Sequence, residues 1–122
     1  MSHRHCFALD LVDETSSIRA YEEWHQPGKT PSEVIAFFRS QGVEDLQIYR
    51  TGNRLFMILD LEDKVGMSEF AGAGAANSDM QAWADRMSAF QQSIAAAHSS
   101  SPSWVAMSKL FNLKEHPETC PR

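Results

Sequence analysis

Hydrophobic and polar residues alternate over the first part of the chain. From Cys6 to Val12, the residues Phe7, Leu9 and Leu11 fall on one side of the alternation, which predicts a β-strand. A short helix is expected from about Ser16 to His25, because helix-capping side chains precede it and Pro27-Gly28 ends it.

The next pattern has the signature of a helix start. Thr30 is placed as an N-cap, Pro31 as a first-turn proline, and Glu33 as the glutamate of a capping box. Apolar residues at helical spacing follow, and Gly42 is the expected C-cap.

Two apolar alternations, at 45–50 and 54–61, flank the turn-forming stretch Thr51-Gly52-Asn53 and predict a β-hairpin. The glycine- and alanine-rich region 64–76 then predicts a short helix at about 67–71, followed by a flexible loop.

A second long helix is predicted to begin at Asn77 or Ser78, because apolar residues recur from there at helical spacing. They are Met80, Trp83, Ala84, Met87, Phe90 and Ile94. The serines of 99–103 break this pattern, and residues 104–113 alternate again, which predicts a fourth strand.

The order strand, helix pair, strand, strand, helix, strand is that of a ferredoxin-like α+β fold, with an antiparallel sheet and the helices on one face. The other sheet face would stay exposed in a monomer, so a homodimer of the dimeric α/β-barrel type is expected. One domain should span residues 1–113, with a polar tail at 114–122.

Composition narrows the function. The 122 residues are 43% hydrophobic, which suits one domain, and the net charge of -5 without a basic cluster argues against nucleic acid as a partner. The apolar runs are too short to cross a membrane, and the first residues lack a secretory signal, so a cytoplasmic protein is expected. Cys6 and Cys120 are expected to be free thiols, with no spacing that suits a metal site.

The candidate chemistry lies in the stretch YEEWHQP, residues 21–27. Tyr21 and His25 are four residues apart and share a helix face, so they can converge on one pocket. Histidine exchanges protons near neutral pH, and tyrosine offers a hydroxyl and a flat surface, which together suit a small polyol. On the residues alone the plainer interpretation is favoured, with His25 at a helix end and Tyr21 at the edge of the core.

Other candidates are weaker. Trp83 lies on the apolar stripe of its helix, where a core position is the more common one. His3 and His5 have no further ligand at metal spacing, and Glu22-Glu23 are typical of a solvated helix face. Nucleotide-binding motifs are absent from the sequence, so no cofactor is expected.

The arrangement of these residues resembles the sugar mutarotases of the L-rhamnose mutarotase family, including its L-fucose-associated branch. The resemblance covers nearly the whole chain and rests on Arg4–Phe7, Tyr21-x-x-x-His25, Gly42, Ile48-Tyr49, Asn53–Met57, Gln81-x-Trp83, Met87 and Lys109–Leu113.

The resemblance implies an aldose mutarotase, which opens and recloses the ring of a free 6-deoxy-hexose by acid/base catalysis without metal or nucleotide. L-Fucose is the first expectation and L-rhamnose the second. It also implies that His25 is the proton donor and that Tyr21 contacts the sugar. Trp83 and Tyr49 are then expected to meet its apolar face, while the second proton carrier (Glu22, Glu33 or Asp10) and the role of Arg4 stay open.

The sequence departs from the rhamnose-type pattern in three places. Ala84 stands where a second tryptophan is usual, Leu46 replaces a tyrosine that contacts the sugar, and Pro31-Ser32-Glu33 replaces Trp-Pro-Glu. The connection before that helix is also longer, as in the fucose-associated branch, so this loop is expected to govern the choice of sugar. The alternatives are a non-catalytic dimeric ligand-binding or regulatory module, and an enzyme of the same architecture with other chemistry, such as a monooxygenase or a haem-degrading protein.

Overall fold

An antiparallel sheet carries four helices in residues 2–94 and 103–117, the part of the chain that the computed structural model describes. The elements are β1 (Ser2–Leu11), α1 (Thr15–Trp24), α2 (Ser32–Ser40), β2 (Val43–Thr51), β3 (Arg54–Glu62), α3 (Met67–Ala76), α4 (Ser78–Ser88), β4 (Gln91–Gln92) and β5 (Val105–Ala106). The strands lie in the order β2-β3-β1-β4, and β5 also pairs with β1. This confirms the predicted α+β class and the ferredoxin-like strand order.

One face of the sheet forms the core. Its centre consists of leucines that are at most 1% exposed: Leu9, Leu11, Leu55, Leu59 and Leu61. Tyr21 of α1 and Met87 of α4 pack in one cluster with Leu11 and Leu55, so both helices cover this face. Burying each such side chain contributes about 1.5–3 kcal/mol.

The opposite face has ion pairs at its ends and apolar residues between them. Arg54 donates two hydrogen bonds to Asp10, at 2.8 and 3.2 Å, and Arg4 donates two to Asp60, at 2.8 and 3.1 Å. The pairing register places an apolar row on this same face: Val105, Ala8, Phe56 and Tyr49, with Cys6 and Ile58 in the next row.

The predicted capping box at the start of α2 is wrong. The helix begins at Ser32 with Pro31 in the N-cap position, and no side chain caps it. The Thr30 hydroxyl instead donates to the carbonyl oxygen of Trp24, at 2.7 Å. Thr30 therefore holds the connection between α1 and α2, although the local pattern predicted that it would cap α2.

The predicted flexible loop at 72–76 is also wrong, because α3 continues through it to Ala76. Alanine has the highest helix propensity, which offsets the cost of the two glycines there. Asn77 then ends α3 and caps α4, since its side-chain oxygen accepts a hydrogen bond from the Met80 N–H at 3.0 Å.

The last predicted helix and strand are both shorter than expected. Helix α4 ends at Ser88, because the chain then turns to hydrogen-bond with the edge of β1 through Phe90 and β4. The strand predicted at 104–113 is reduced to Val105–Ala106, and Leu113–Glu115 forms a 3-10 helix. The predictions for His98, the serine-rich break at 99–102 and Cys120 lie outside the described residues.

Within the described ranges, no helix is both long enough and apolar enough to span a membrane. Cys6 is a free, half-buried thiol in β1. The division into a domain at 1–113 and a tail at 114–122, and the cytoplasmic location, stay predictions from the sequence.

Candidate active site

The end of α1 fixes the orientation of His25. This residue is the C-cap of the helix, and its ring Nδ1 lies 2.6 Å from the carbonyl oxygen of Tyr21. Because a carbonyl oxygen only accepts hydrogen bonds, Nδ1 carries the proton. In the neutral ring, Nε2 is then the nitrogen with a free lone pair.

Two aromatic rings pack against the imidazole of His25. Tyr21 stacks on it with ring centroids 4.2 Å apart, and Trp83 approaches edge-on at 5.5 Å. Burial lowers the pKa of His25 below 6.5, and the hydrogen bond to the Tyr21 carbonyl opposes that shift only in part. His25 is therefore neutral at pH 7, with Nε2 able to accept a proton.

Tyr21 is anchored in the core. Its side chain is buried, and its hydroxyl oxygen accepts a hydrogen bond from the side-chain amide of Gln91 in β4. Burial raises the pKa of Tyr21, more than the bond to Gln91 lowers it, so the phenol keeps its proton.

An open cavity of about 360 Å³ lies between the end of α1 and the β2–β3 hairpin. Its lining residues are Tyr21, Glu22, His25, Gln26, Ile48, Tyr49, Arg50 and Leu55. This volume is at the lower end of the roughly 300–1,000 Å³ usual for small-molecule sites, and apolar walls with a few polar groups are typical of such sites.

The structure brings together some of the predicted site residues. Tyr21 and His25 both line the cavity, and Trp83 packs edge-on against His25 without lining the cavity. Tyr49 lines the cavity edge, but strand alternation places its side chain on the opposite sheet face, where its hydroxyl donates to Gln47 at 2.7 Å. The sugar-binding roles of these residues stay predictions.

Arg50 is a cavity residue that the sequence reasoning missed. Its Nε donates to a carboxylate oxygen of Glu22 at 3.2 Å, and its Nη1 donates to the carbonyl oxygen of Gly52 at 2.7 Å. Glu22 is therefore more than a solvated helix residue, since it bridges α1 to β2. Strand alternation could have indicated Arg50, because it places this residue on the same sheet face as Ile48, toward α1.

The three candidates for a second proton carrier lie in different places. Glu22 lines the cavity with His25, whereas Asp10 is bound to Arg54 on the opposite sheet face. Glu33 is exposed, and it lines a separate small cavity beside Trp83. Only Glu22 shares the cavity with His25 among these three.

The imidazole of His3, near the N-terminus, has two local contacts. His3 lies 2.6 Å from the ring of His5 and 2.7 Å from the carbonyl oxygen of Val65, so its two nitrogens are both engaged. In the part of the chain that the structure covers, no group of three or more histidine, cysteine or acidic side chains could hold an ion.

Comparison with known proteins places this chain in a family. A family model described as L-rhamnose mutarotase matches residues 4–113. The chain belongs to the L-rhamnose mutarotase family. An L-fucose mutarotase of Xanthomonas campestris pv. campestris is 31% identical over 112 residues, which are 92% of this chain and 89% of that protein.

A solved structure agrees with the fold. The L-rhamnose mutarotase of Formosa agariphila superposes with a TM-score of 0.65 at 21% identity, covering 90% of this chain and 97% of that one. The resemblance inferred from the sequence is confirmed, and the protein is a carbohydrate isomerase of the mutarotase type.

The loop expected to govern sugar choice in this mutarotase lies directly beside His25. A second open groove, of about 690 Å³, is lined by His25, residues 26–32 and the side of α2 at Arg39. His25 and Gln26 line both openings. A substitution in this loop can therefore alter the surroundings of His25 directly, without changing the packing of the core.

Proposed function

We propose that this mutarotase interconverts the α and β anomers of free L-fucose, and next those of L-rhamnose, by acid/base opening of the sugar ring. The observation that carries the proposal is the hydrogen bond from His25 Nδ1 to the Tyr21 carbonyl, which leaves Nε2 for the substrate. The curated relative at 31% identity is an L-fucose mutarotase, which supports the choice of sugar.

The reaction needs one proton moved between two oxygens on the same carbon. Neutral His25 accepts the proton of the anomeric hydroxyl at Nε2. The C1–O5 bond then breaks, C1 becomes an aldehyde carbon, and the imidazolium gives the proton to the ring oxygen. Rotation about C1–C2 presents the other aldehyde face, and the same steps in reverse close the ring.

The remaining predicted residues lie around the site in this proposal. Tyr21 supplies a fixed aromatic wall next to His25, and Trp83 packs edge-on against the imidazole without lining the cavity. Tyr49 lines the cavity edge with its side chain on the opposite sheet face, so its ring would have to turn toward α1 to meet the apolar face of the sugar. The ligand is a monosaccharide handled in the cytoplasm.

We also propose that the protein is a homodimer joined through the sheet face opposite the helices. The ion pairs at both ends of that face carry charges of both signs, so a two-fold axis can place each pair against its copy. Leu110, Phe111 and Leu113, which follow β5 in the chain, are exposed and add to the apolar surface of a single chain.

Saturation-transfer NMR on equilibrated L-fucose, L-rhamnose and D-galactose tests the activity directly. A mutarotase transfers saturation between the α and β anomeric proton signals. The fastest exchange is expected with L-fucose. A non-catalytic binding module would shift or broaden the signals without exchange, and that result with all three sugars would refute the proposed function.

His25→Ala tests the residue assignment. Loss of the acid/base group should lower the exchange rate by about 10² to 10⁴-fold. The fold should survive, because His25 lies at a helix end. His116→Ala is the matched control, since His116 is exposed and contacts Phe111 rather than the cavity. Equal exchange rates for the two variants would remove His25 from the mechanism.

A further inference from the structure

Arg50 lines the same cavity as His25 and keeps hydrogen-bond donors that have no partner among the described residues. A guanidinium has five N–H groups in a rigid plane. One donates to Glu22 and one to the Gly52 carbonyl, which fixes the plane and leaves the others without a partner among the described residues. The side chain is 35% exposed, so a ligand in the cavity can reach it.

The proposed reaction requires a donor of this kind. When the C1–O5 bond breaks, negative charge develops on the ring oxygen before a proton arrives there. Neutral His25 enters the reaction as an acceptor, so it cannot donate to that oxygen at the start. A fixed donor aimed at developing charge is among the strongest catalytic contributions available to an enzyme.

The other hydroxyl and amide donors of the cavity are neutral, and each of these groups already has a local partner. The Tyr49 hydroxyl donates to Gln47, and the Tyr21 hydroxyl oxygen accepts a hydrogen bond from the Gln91 amide. The Gln26 amide donates to the carbonyl oxygen of Glu22, at 3.4 Å. Arg50 combines a positive charge with uncommitted donors.

We propose that Arg50 donates a hydrogen bond to the ring oxygen of the sugar and stabilises the charge that develops there, while Glu22 acts as a positioning residue that orients the guanidinium. This inference rests on the proposed mutarotase function and adds a residue to its site. It also assigns Glu22 to orientation, and not to proton transfer.

Replacing Arg50 gives the direct test. Arg50→Met should lower kcat by about 10- to 100-fold, because it removes a hydrogen bond from a charged donor, and should change KM less. Arg50→Lys keeps the charge without the planar fork and should fall between Arg50→Met and the wild type. Arg19→Met is the matched control, because Arg19 is exposed on α1 and does not line the cavity. An Arg50→Met rate equal to the control rate would overturn the inference while the mutarotase function stands.

Glu22 provides a second test that separates orientation from proton transfer. Glu22→Gln keeps an oxygen that can accept the Arg50 Nε–H but cannot carry a proton at neutral pH, so its exchange rate should stay within about 3-fold of the wild type. Glu22→Ala should lose rate in the same manner as Arg50→Met. A loss in Glu22→Gln as large as in His25→Ala would overturn the positioning role.

Chemical rescue distinguishes the missing donor from a general structural defect. Guanidinium chloride at non-denaturing concentration should restore part of the exchange rate of Arg50→Ala, and sodium chloride at equal ionic strength should not. Failure of rescue, with a kcat equal to that of the control, overturns the inference. If the wild type itself neither catalyses anomer exchange nor binds the sugars, the proposed function and this inference are both refuted.

Discussion

His25 has two ring nitrogens in different environments, and that difference decides its chemistry. Nδ1 is tied to the Tyr21 carbonyl, whereas Nε2 stays free for a substrate. Burial keeps the ring neutral, so it serves as a base at neutral pH. At an exposed helix C-terminus the pKa of a histidine would instead be raised, because the helix dipole favours the charged ring there.

The pH dependence of exchange follows from this balance. The pKa of His25 is lowered from 6.5, so the active neutral form persists as the pH falls to 6.5 and is lost only below it. The acid limb of kcat/KM for anomer exchange should therefore have its midpoint below pH 6.5. Rates of His25→Ala, measured at each pH, correct for catalysis by buffer and solvent. A midpoint above 6.5 would contradict the assigned environment of His25.

Tyr21 makes a prediction about stability. Tyr21→Phe removes the buried hydroxyl that bonds Gln91, and the free energy of unfolding should fall by about 0.5–1.5 kcal/mol. Tyr49→Phe removes an exposed hydroxyl and should change the stability by less than about 0.5 kcal/mol. Urea denaturation of the two variants gives the comparison. Equal stabilities would mean that the Tyr21 hydroxyl bond contributes nothing.

Site residues that lie close together in the sequence were easier to predict than the one that lies far from them. Tyr21 and His25 lie within one helix, so their four-residue spacing and the family resemblance were enough to single them out. Arg50 belongs to a strand and reaches the cavity only because β2 lies beside the end of α1. This packing of β2 against α1 leaves no local pattern in the sequence, and so the sequence alone did not indicate Arg50.

Among the helices and strands, the centres were predicted better than the ends. The apolar periodicity that defines each centre is local, whereas several ends depend on long-range partners. Thr30 bonds Trp24 instead of capping α2, and α4 stops at Ser88 because β4 pairs with β1. The edge of β1 is then shared by two short strands, which a single alternating pattern at 104–113 could not indicate.

The connection from α2 to β2 depends on Gly42. This residue has φ +81°, and an added Cβ would lie 2.7 Å from Cγ2 of Val65. Gly42→Ala should therefore cost about 1–2 kcal/mol for the left-handed backbone and a further roughly 1–3 kcal/mol for the steric overlap.

Gly28→Ala is a matched control for the steric part of that cost. Gly28 has the same φ of +81°, but an added Cβ would meet nothing within 4 Å. Urea denaturation should show a clearly larger loss of stability for Gly42→Ala than for Gly28→Ala. If both lost the same amount, Val65 would be moving aside freely and only the backbone term would remain.

At the scale of the whole molecule, the two faces of the sheet have different tasks. The leucine-rich face holds the helices and orients the catalytic candidate through α1. The other face has apolar rows between two ion pairs. In a single chain the apolar side chains Cys6, Phe56 and Ile58 of that second face stay partly exposed, which is the physical reason to expect a second copy there.

Ile58→Asp tests the homodimer. Ile58 is partly exposed in the single chain, so a charge there costs the isolated domain little, whereas in the proposed interface it would be buried without a partner. Light scattering coupled to size exclusion should give a dimer for the wild type and a monomer for Ile58→Asp. Ser68→Asp, an exposed change on α3, should stay dimeric. Anomer exchange measured on the monomeric variant then separates assembly from catalysis, because the cavity beside His25 is built from one chain. A monomeric wild type, or a dimeric Ile58→Asp, would show that this sheet face does not join two copies.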